Sequence, residues 1–258
     1  MALIDISLSA CRYGKVEVLH DVNIEVRAGE MVAVLGNNGV GKTTLLRAIS
    51  GVEVRVDGVF TFEDTDISKI AAHKRMRRGV IHVPEGRRIF GELTVDENLK
   101  VGAMYANSQR SYDDRRGQAY ELFPALTKLE HRPGAALSGG EQQMLAIARG
   151  LMADPKLLMV DEASLGLAPL PIKTVFAALS AIRDSGVAVL VVEQNVRTSL
   201  AAADRAYVLE RGTISQSGSS SELLADPKIV DAYLGSADNF DDETASDDTT
   251  AKDETNSV

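Results

Sequence analysis

The chain has 258 residues, enough for one large α/β domain or a core with an inserted subdomain. Hydrophobic residues make up 45% and charged residues 25%, the balance of a soluble globular protein; aromatics at 5%, with no Trp, leave little for a base-stacking surface and argue against nucleic acid as a partner. Net charge is −9, but residues 236–258 hold eight acids against Lys252, which puts that segment at −7 and everything before it at −2, so the nearly neutral body has no long-range attraction for DNA or an anionic membrane.

In chain order, short alternating runs at 3–6 and 22–26, turned at Gly14 and around Gly29, predict an antiparallel edge sheet. Residues 31–35 are continuously apolar, the pattern of a strand buried on both faces. That run feeds Gly36-Asn37-Asn38-Gly39-Val40-Gly41-Lys42-Thr43-Thr44, followed by a helix with Leu45, Leu46 and Ile49 on one side and Gly51 at its end. Buried-strand patterns return at 157–161, 187–193 and 206–209 with helical stretches between, which predicts a mainly parallel sheet. Residues 92–153 break that rhythm with helix-like stretches over 95–105, 113–123 and 141–152, an inserted helical subdomain. After Gly235 the sequence turns to Asp, Ser, Thr and Asn, too polar to offset chain entropy, so 236–258 is expected to be a disordered acidic tail. A lone Cys11 excludes an intrachain disulfide and fits a reducing compartment. The N-terminus lacks a basic stretch followed by an apolar one, and no run approaches the roughly 20 apolar residues that span a bilayer, so the chain reads as neither secreted nor integral.

Gly36-x4-Gly41-Lys42-Thr43 is a complete phosphate loop in its required strand-to-helix setting. Its backbone N–H groups wrap the phosphates of a nucleoside triphosphate, Lys42 reaches the β and γ oxygens, and the Thr43 hydroxyl coordinates Mg²⁺. Asp161 and Glu162 end an apolar strand, so both carboxylates emerge at the carboxyl edge of the sheet. Asp161 is placed for Mg²⁺ and Glu162 for general-base attack by water, which implies hydrolysis. Ser138-Gly139-Gly140-Glu141 precedes an apolar-striped helix, with Ser138 as its N-cap, and forms a second anion site. Two phosphate-binding helix N-termini in one chain meet either by folding together or across two subunits, and spacing does not choose.

Phosphate loop, LSGGEQQ (Leu137 to Gln143) and LLMVDE (Leu157 to Glu162), in this order, resemble the nucleotide-binding subunit of an ABC transporter over about residues 3–235. The resemblance implies a P-loop NTPase core, an N-terminal antiparallel β-subdomain and the helical insertion. It also implies a head-to-tail pair of ATPase subunits, the signature Ser138, Gly139, Gly140 and Glu141 of one facing the ATP held by Lys42 of the other. Tyr13 lies where the family stacks an aromatic on adenine. Where many members have Gln and His, this chain has Glu85, able to approach Mg²⁺ and the lytic water, and Gln194, able to donate to the γ-phosphate but not to titrate near neutral pH. Ala163 stands where relatives usually have Pro, which loosens that turn.

PEGRRIF (Pro84 to Phe90), LTVDENL, SLGLAP (Ser164 to Pro169) and VEQN resemble the ATP-binding subunit of branched-chain amino-acid importers of the LivF type. That likeness implies separate membrane permeases, a solute-binding protein on the other side, and a peripheral place on the cytoplasmic face of the membrane. It makes Arg87, Arg88 and Phe90 candidates for the edge that docks the permease. Urea and short-amide importers share much of the pattern. A non-transport ABC ATPase, such as one of iron–sulfur assembly, and a nucleotide-binding regulator without turnover are the readings from other classes.

Overall fold

The computed structural model describes residues 1–104 and 106–229; the acidic segment 236–258 and position 105 lie outside the described residues. Among the described residues ten strands form two sheets. The smaller contains β1 (Ala2–Tyr13), β2 (Val16–Arg27), β4 (Arg55–Phe62) and β5 (Thr65–Asp66) in the order β2-β1-β4-β5, all antiparallel. The larger contains β3 (Met31–Leu35), β6 (Val80–Val83), β7 (Leu157–Asp161), β8 (Ala188–Glu193), β9 (Arg205–Glu210) and β10 (Thr213–Ser219), in the order β10-β9-β3-β8-β7-β6. Its strands are parallel except β10, which runs antiparallel to β9. Helices follow as α1 (Lys42–Ser50), α2 (Ala72–Arg77), α3 (Val95–Ala103), α4 (Tyr112–Leu122), α5 (Pro124–Thr127), α6 (Gly139–Leu151), α7 (Pro169–Asp184), α8 (Val196–Ala202), α9 (Ser220–Ala225) and α10 (Pro227–Ile229).

Every residue of β3, β7 and β8 is buried, and the period of two sends alternate side chains into two different cores. Met31, Ala33 and Leu35 join Val189, Val191, Leu158 and Val160 beneath α6, α7 and α8. Val32 and Val34 join Leu190, Val192 and Met159 beneath α1 and the smaller sheet. The central sheet is thus clamped on both faces, and its carboxyl edge is a rigid platform for whatever follows β3, β7 and β8. Helices α3, α4, α5 and α6 fall within residues 92–153, and among the described residues no strand of either sheet interrupts them.

Three differences from the sequence expectations have physical causes. The N-terminal strands are longer than 3–6 and 22–26 because the hairpin pairing extends to Tyr13 and Val16, across a register shift between Cys11 and Arg12 that breaks the alternation. β4 is masked by Asp57 and Gly58; a Cβ on Gly58 would lie 2.5 Å from the Ser7 carbonyl oxygen, so this crossing with β1 admits only glycine. β10, rich in Ser and Gln, is an antiparallel edge strand with no apolar run to announce it.

Candidate functional site

β3 ends at Leu35 and the chain turns through the phosphate loop into α1. A Cβ on Gly36 would meet the Leu209 carbonyl oxygen at 2.4 Å, and Gly41 has φ 111° with Leu19 against it, so steric necessity explains both glycines. α1 has no side-chain N-cap and no acid in its first turn, so its N-terminal N–H groups remain for an anion. Lys42 is buried and spends its three donors on the Gly36 carbonyl (2.8 Å), the Asn37 carbonyl (3.1 Å) and Glu162 Oε1 (2.9 Å). The Thr43 hydroxyl donates to Asp161 Oδ1 at 3.2 Å.

These groups share one cleft of about 330 Å³ lined by Asn38, Gly39, Gly41, Lys42, Thr43, Thr44, Glu85 and Glu162. Asp161 is 1% exposed at the end of β7, and its Oδ2 is buried without a hydrogen-bond partner. Burial, reinforced by the charges of Glu85 and Glu162, raises its carboxyl from 3.8 to about 6, against the opposing Thr43 bond and Lys42 charge. An orphaned carboxylate oxygen beside a hydroxyl and a second carboxylate is an oxygen donor set suited to Mg²⁺. Among the described residues no group of three or more His, Cys, Asp or Glu is placed to hold a metal on its own.

The raised Asp161 carboxyl has a testable consequence. The folded chain binds this proton more tightly than the unfolded one, so folded stability falls as pH rises from about 4 to about 6 and stays reduced above that. Asp161→Asn keeps an acceptor for Thr43 and removes the buried charge. The nucleotide-free, metal-free variant is therefore expected to melt higher than the parent at pH 7.5 and no higher at pH 4, read by calorimetry. A lower melting point at pH 7.5 would refute the electrostatic account.

Glu162 has φ 51° and its N–H bonds the Val192 carbonyl at 3.0 Å, which pins the residue between β7 and β8. Ala163 behind it is fully buried. Gln194 is exposed and lines an adjoining cleft with Glu162, Ser164, Leu165 and Gly166, not the phosphate-loop cleft, so Glu162 separates the two. Tyr13 is half-buried at the β1–β2 turn, outside the cleft lining, and its hydroxyl accepts from Arg47 Nη1 of α1 at 3.1 Å.

Ser138 is the N-cap of α6, which begins two residues ahead of the 141–152 expected. Its hydroxyl accepts from the Glu141 N–H at 3.4 Å, and Glu141 Oε2 accepts from the Ser138 N–H at 2.7 Å. None of Ser138, Gly139, Gly140 or Glu141 lines the phosphate-loop cleft of its own chain. The N-terminal ends of α1 and α6 are thus not brought to one pocket.

Sequence reasoning missed Glu193. Fully buried as the last residue of β8, it accepts from the Ser164 N–H (2.7 Å) and hydroxyl (2.8 Å), and burial raises its carboxyl. It holds the loop that leaves Glu162 against the strand that leads to Gln194. The signal available was a carboxylate closing an otherwise apolar run, 188–192.

Comparison with known proteins agrees with this geometry. The family model "ABC transporter" matches residues 19–165. The chain is 45% identical to the high-affinity branched-chain amino acid transport ATP-binding protein BraG of Pseudomonas aeruginosa, over 86% of this chain and 95% of that one. It is 36% identical to the lipopolysaccharide export system ATP-binding protein LptB of Escherichia coli (84% and 91% covered). It is 34% identical to a probable branched-chain amino acid transport ATP-binding protein LivF of Archaeoglobus fulgidus (88% and 96%). Among solved structures, the ADP conformation of an ATP-binding cassette of an ABC transporter superposes with a TM-score of 0.76 at 27% identity, covering 91% of this chain and 99% of that one. With the cleft, the phosphate loop and these likenesses together, the chain belongs to the ABC transporter family, as an ATP-binding subunit that hydrolyses ATP.

Proposed function

We propose that this chain energises uptake of branched-chain amino acids through separate membrane permeases, working as one of a pair of ATPase subunits on the cytoplasmic face of the membrane. The observation that carries the solute is the 45% identity to BraG along 95% of that relative's length, above the 36% to LptB. Among the described residues no helix is long and apolar enough to cross a membrane, in keeping with permeases on other chains. A solute-binding protein would act through those permeases.

The chemistry follows from the cleft. Lys42 and Glu162 form an ion pair at 2.9 Å. Arrival of the γ-phosphate draws Lys42 away, and the freed Glu162 carboxylate then accepts the proton of the attacking water. Thr43, Asp161 and Glu85 would hold Mg²⁺, which supplies neutralisation of phosphate charge. Gln194 donates to the γ-phosphate once the adjoining clefts close together, and Tyr13 stacks on adenine. The signature Ser138, Gly139, Gly140 and Glu141, absent from their own cleft, complete the partner subunit's site. Turnover, rather than regulation by binding alone, is carried by Asp161 and Glu162.

Uptake of labelled leucine, isoleucine and valine in cells carrying Lys42→Ala in place of the parent tests the solute. Loss of all three supports import of branched-chain amino acids. Unchanged uptake with defective lipopolysaccharide export would favour the second reading, for which the likeness to LptB is the ground.

A further inference from the structure

Arg87 does not behave as a member of a solvated basic run. Gly86, Arg87 and Arg88 all lie in the left-handed region, at φ 75°, 65° and 45°. Two successive non-glycine residues there persist only where the surroundings over-determine them. The effect of this turn, closed by the Arg88 N–H on the Gly86 carbonyl at 2.6 Å, is to separate the two arginines. Arg88 and Phe90 stay exposed, in keeping with a docking edge, while Arg87 is half-buried.

The Arg87 guanidinium lies across the start of α6. A Cβ on Gly139 would sit 3.0 Å from its Nη2 and 3.3 Å from its Cζ, so the glycine of the signature leaves room for this side chain. Its Nη1 donates to Gln142 Oε1 at 3.2 Å. Gln142 is itself oriented, because its Nε2 donates to the carbonyls of Gly134 (3.3 Å) and Leu137 (3.2 Å). A Cβ on Gly166, in the loop beyond Glu162, would lie 3.9 Å from the same Nη2. Among the described residues no carboxylate forms an ion pair with Arg87. Two backbone bonds, Gly134 N–H to the Leu93 carbonyl (2.8 Å) and Ala135 N–H to the Gly91 carbonyl (3.0 Å), tie the rest of this loop to the segment leading into the signature.

We propose that Arg87 is a positioning residue that fastens the signature helix to the loop carrying Glu85. A subunit then presents its signature in register only when its own phosphate-site loop is in place. The proposal deepens, and rests on, the paired-subunit reading above. Arg87 is not among the residues that line the phosphate-loop cleft of its own chain; it acts through Gly139 and Gln142.

The test uses the full chain carrying Glu162→Gln, which retains ATP, and reads ATP-driven pairing by sedimentation. Adding Arg87→Met is expected to leave ATP affinity of the unpaired chain within about twofold while pairing requires about tenfold more protein. On the otherwise unchanged chain, Arg87→Met lowers kcat about tenfold with KM for ATP nearly constant, and an unchanged fraction of chain that binds ATP in titration separates this from loss of folded protein. Gln142→Leu should act in the same direction, and combined with Arg87→Met add less than about twofold, because both remove one contact. Gln142→Leu alone also carries the test if Arg87→Met folds poorly. Pairing and turnover equal to the parent's, with loss only of stimulation by membrane subunits, would make Arg87 a docking residue and overturn the proposal. Failure of the Glu162→Gln parent to pair with ATP would instead overturn the paired-subunit reading, and the proposal with it.

Discussion

Glu162→Gln is expected to bind ATP at least as tightly as the parent and to cleave it about a thousandfold more slowly, within the range assigned to a positioned general base. The amide can still accept from Lys42 through its oxygen, so the local fold is kept. It has no negative charge to hold Lys42 back from the γ-phosphate, and no basicity to take the water's proton. Binding calorimetry and phosphate release measured on the same preparation separate the two effects. Turnover close to the parent's would remove Glu162 from the role of base and shift attention to Glu85, the other carboxyl group lining the cleft.

Lys42→Ala is the opposite lesion. It strips the cleft of its cation and leaves Glu162, half-buried beside Asp161 and Glu85, without its ion-pair partner. Two charge-assisted contacts to phosphate at roughly 1.5–3 kcal/mol each are lost, so ATP affinity should fall by about a hundredfold or more. The nucleotide-free chain should also lose about 3 kcal/mol, because removing one member of a buried ion pair strands the other. Lys42→Ala with Glu162→Gln recovers most of that stability and none of the affinity. Chemical denaturation of the single and double variants checks this; equal loss in both would mean that the pair does not stabilise the folded chain.

Elements whose chemistry is local were the ones legible in the sequence. β3 and β7 announce themselves as apolar runs, the first leading straight into the phosphate loop and the second ending in Asp161 at the edge of the sheet. Ser138 with Glu141 three residues on carries its own capping box. Contacts between distant segments were not legible. Lys42 with Glu162 and Ser164 with Glu193 join residues from different strand ends, and no spacing encodes which carboxylate faces which donor. Arg87 and Arg88 look alike as text, yet the left-handed turn sends one inward and leaves the other in water. The edge strand β10 was hidden because one solvated face of Ser and Gln carries no hydrophobic period.

The central claim, that each catalytic site draws Lys42 from one chain and Ser138 from another, is tested most directly by mixing two defective chains. Lys42→Ala and Ser138→Arg should each be inactive alone. Mixed in equal amounts, half of the pairs join one of each and contain one intact composite site, so the account predicts recovery to about a quarter of the parent's turnover per chain. A mixture as inactive as its two components would contradict it.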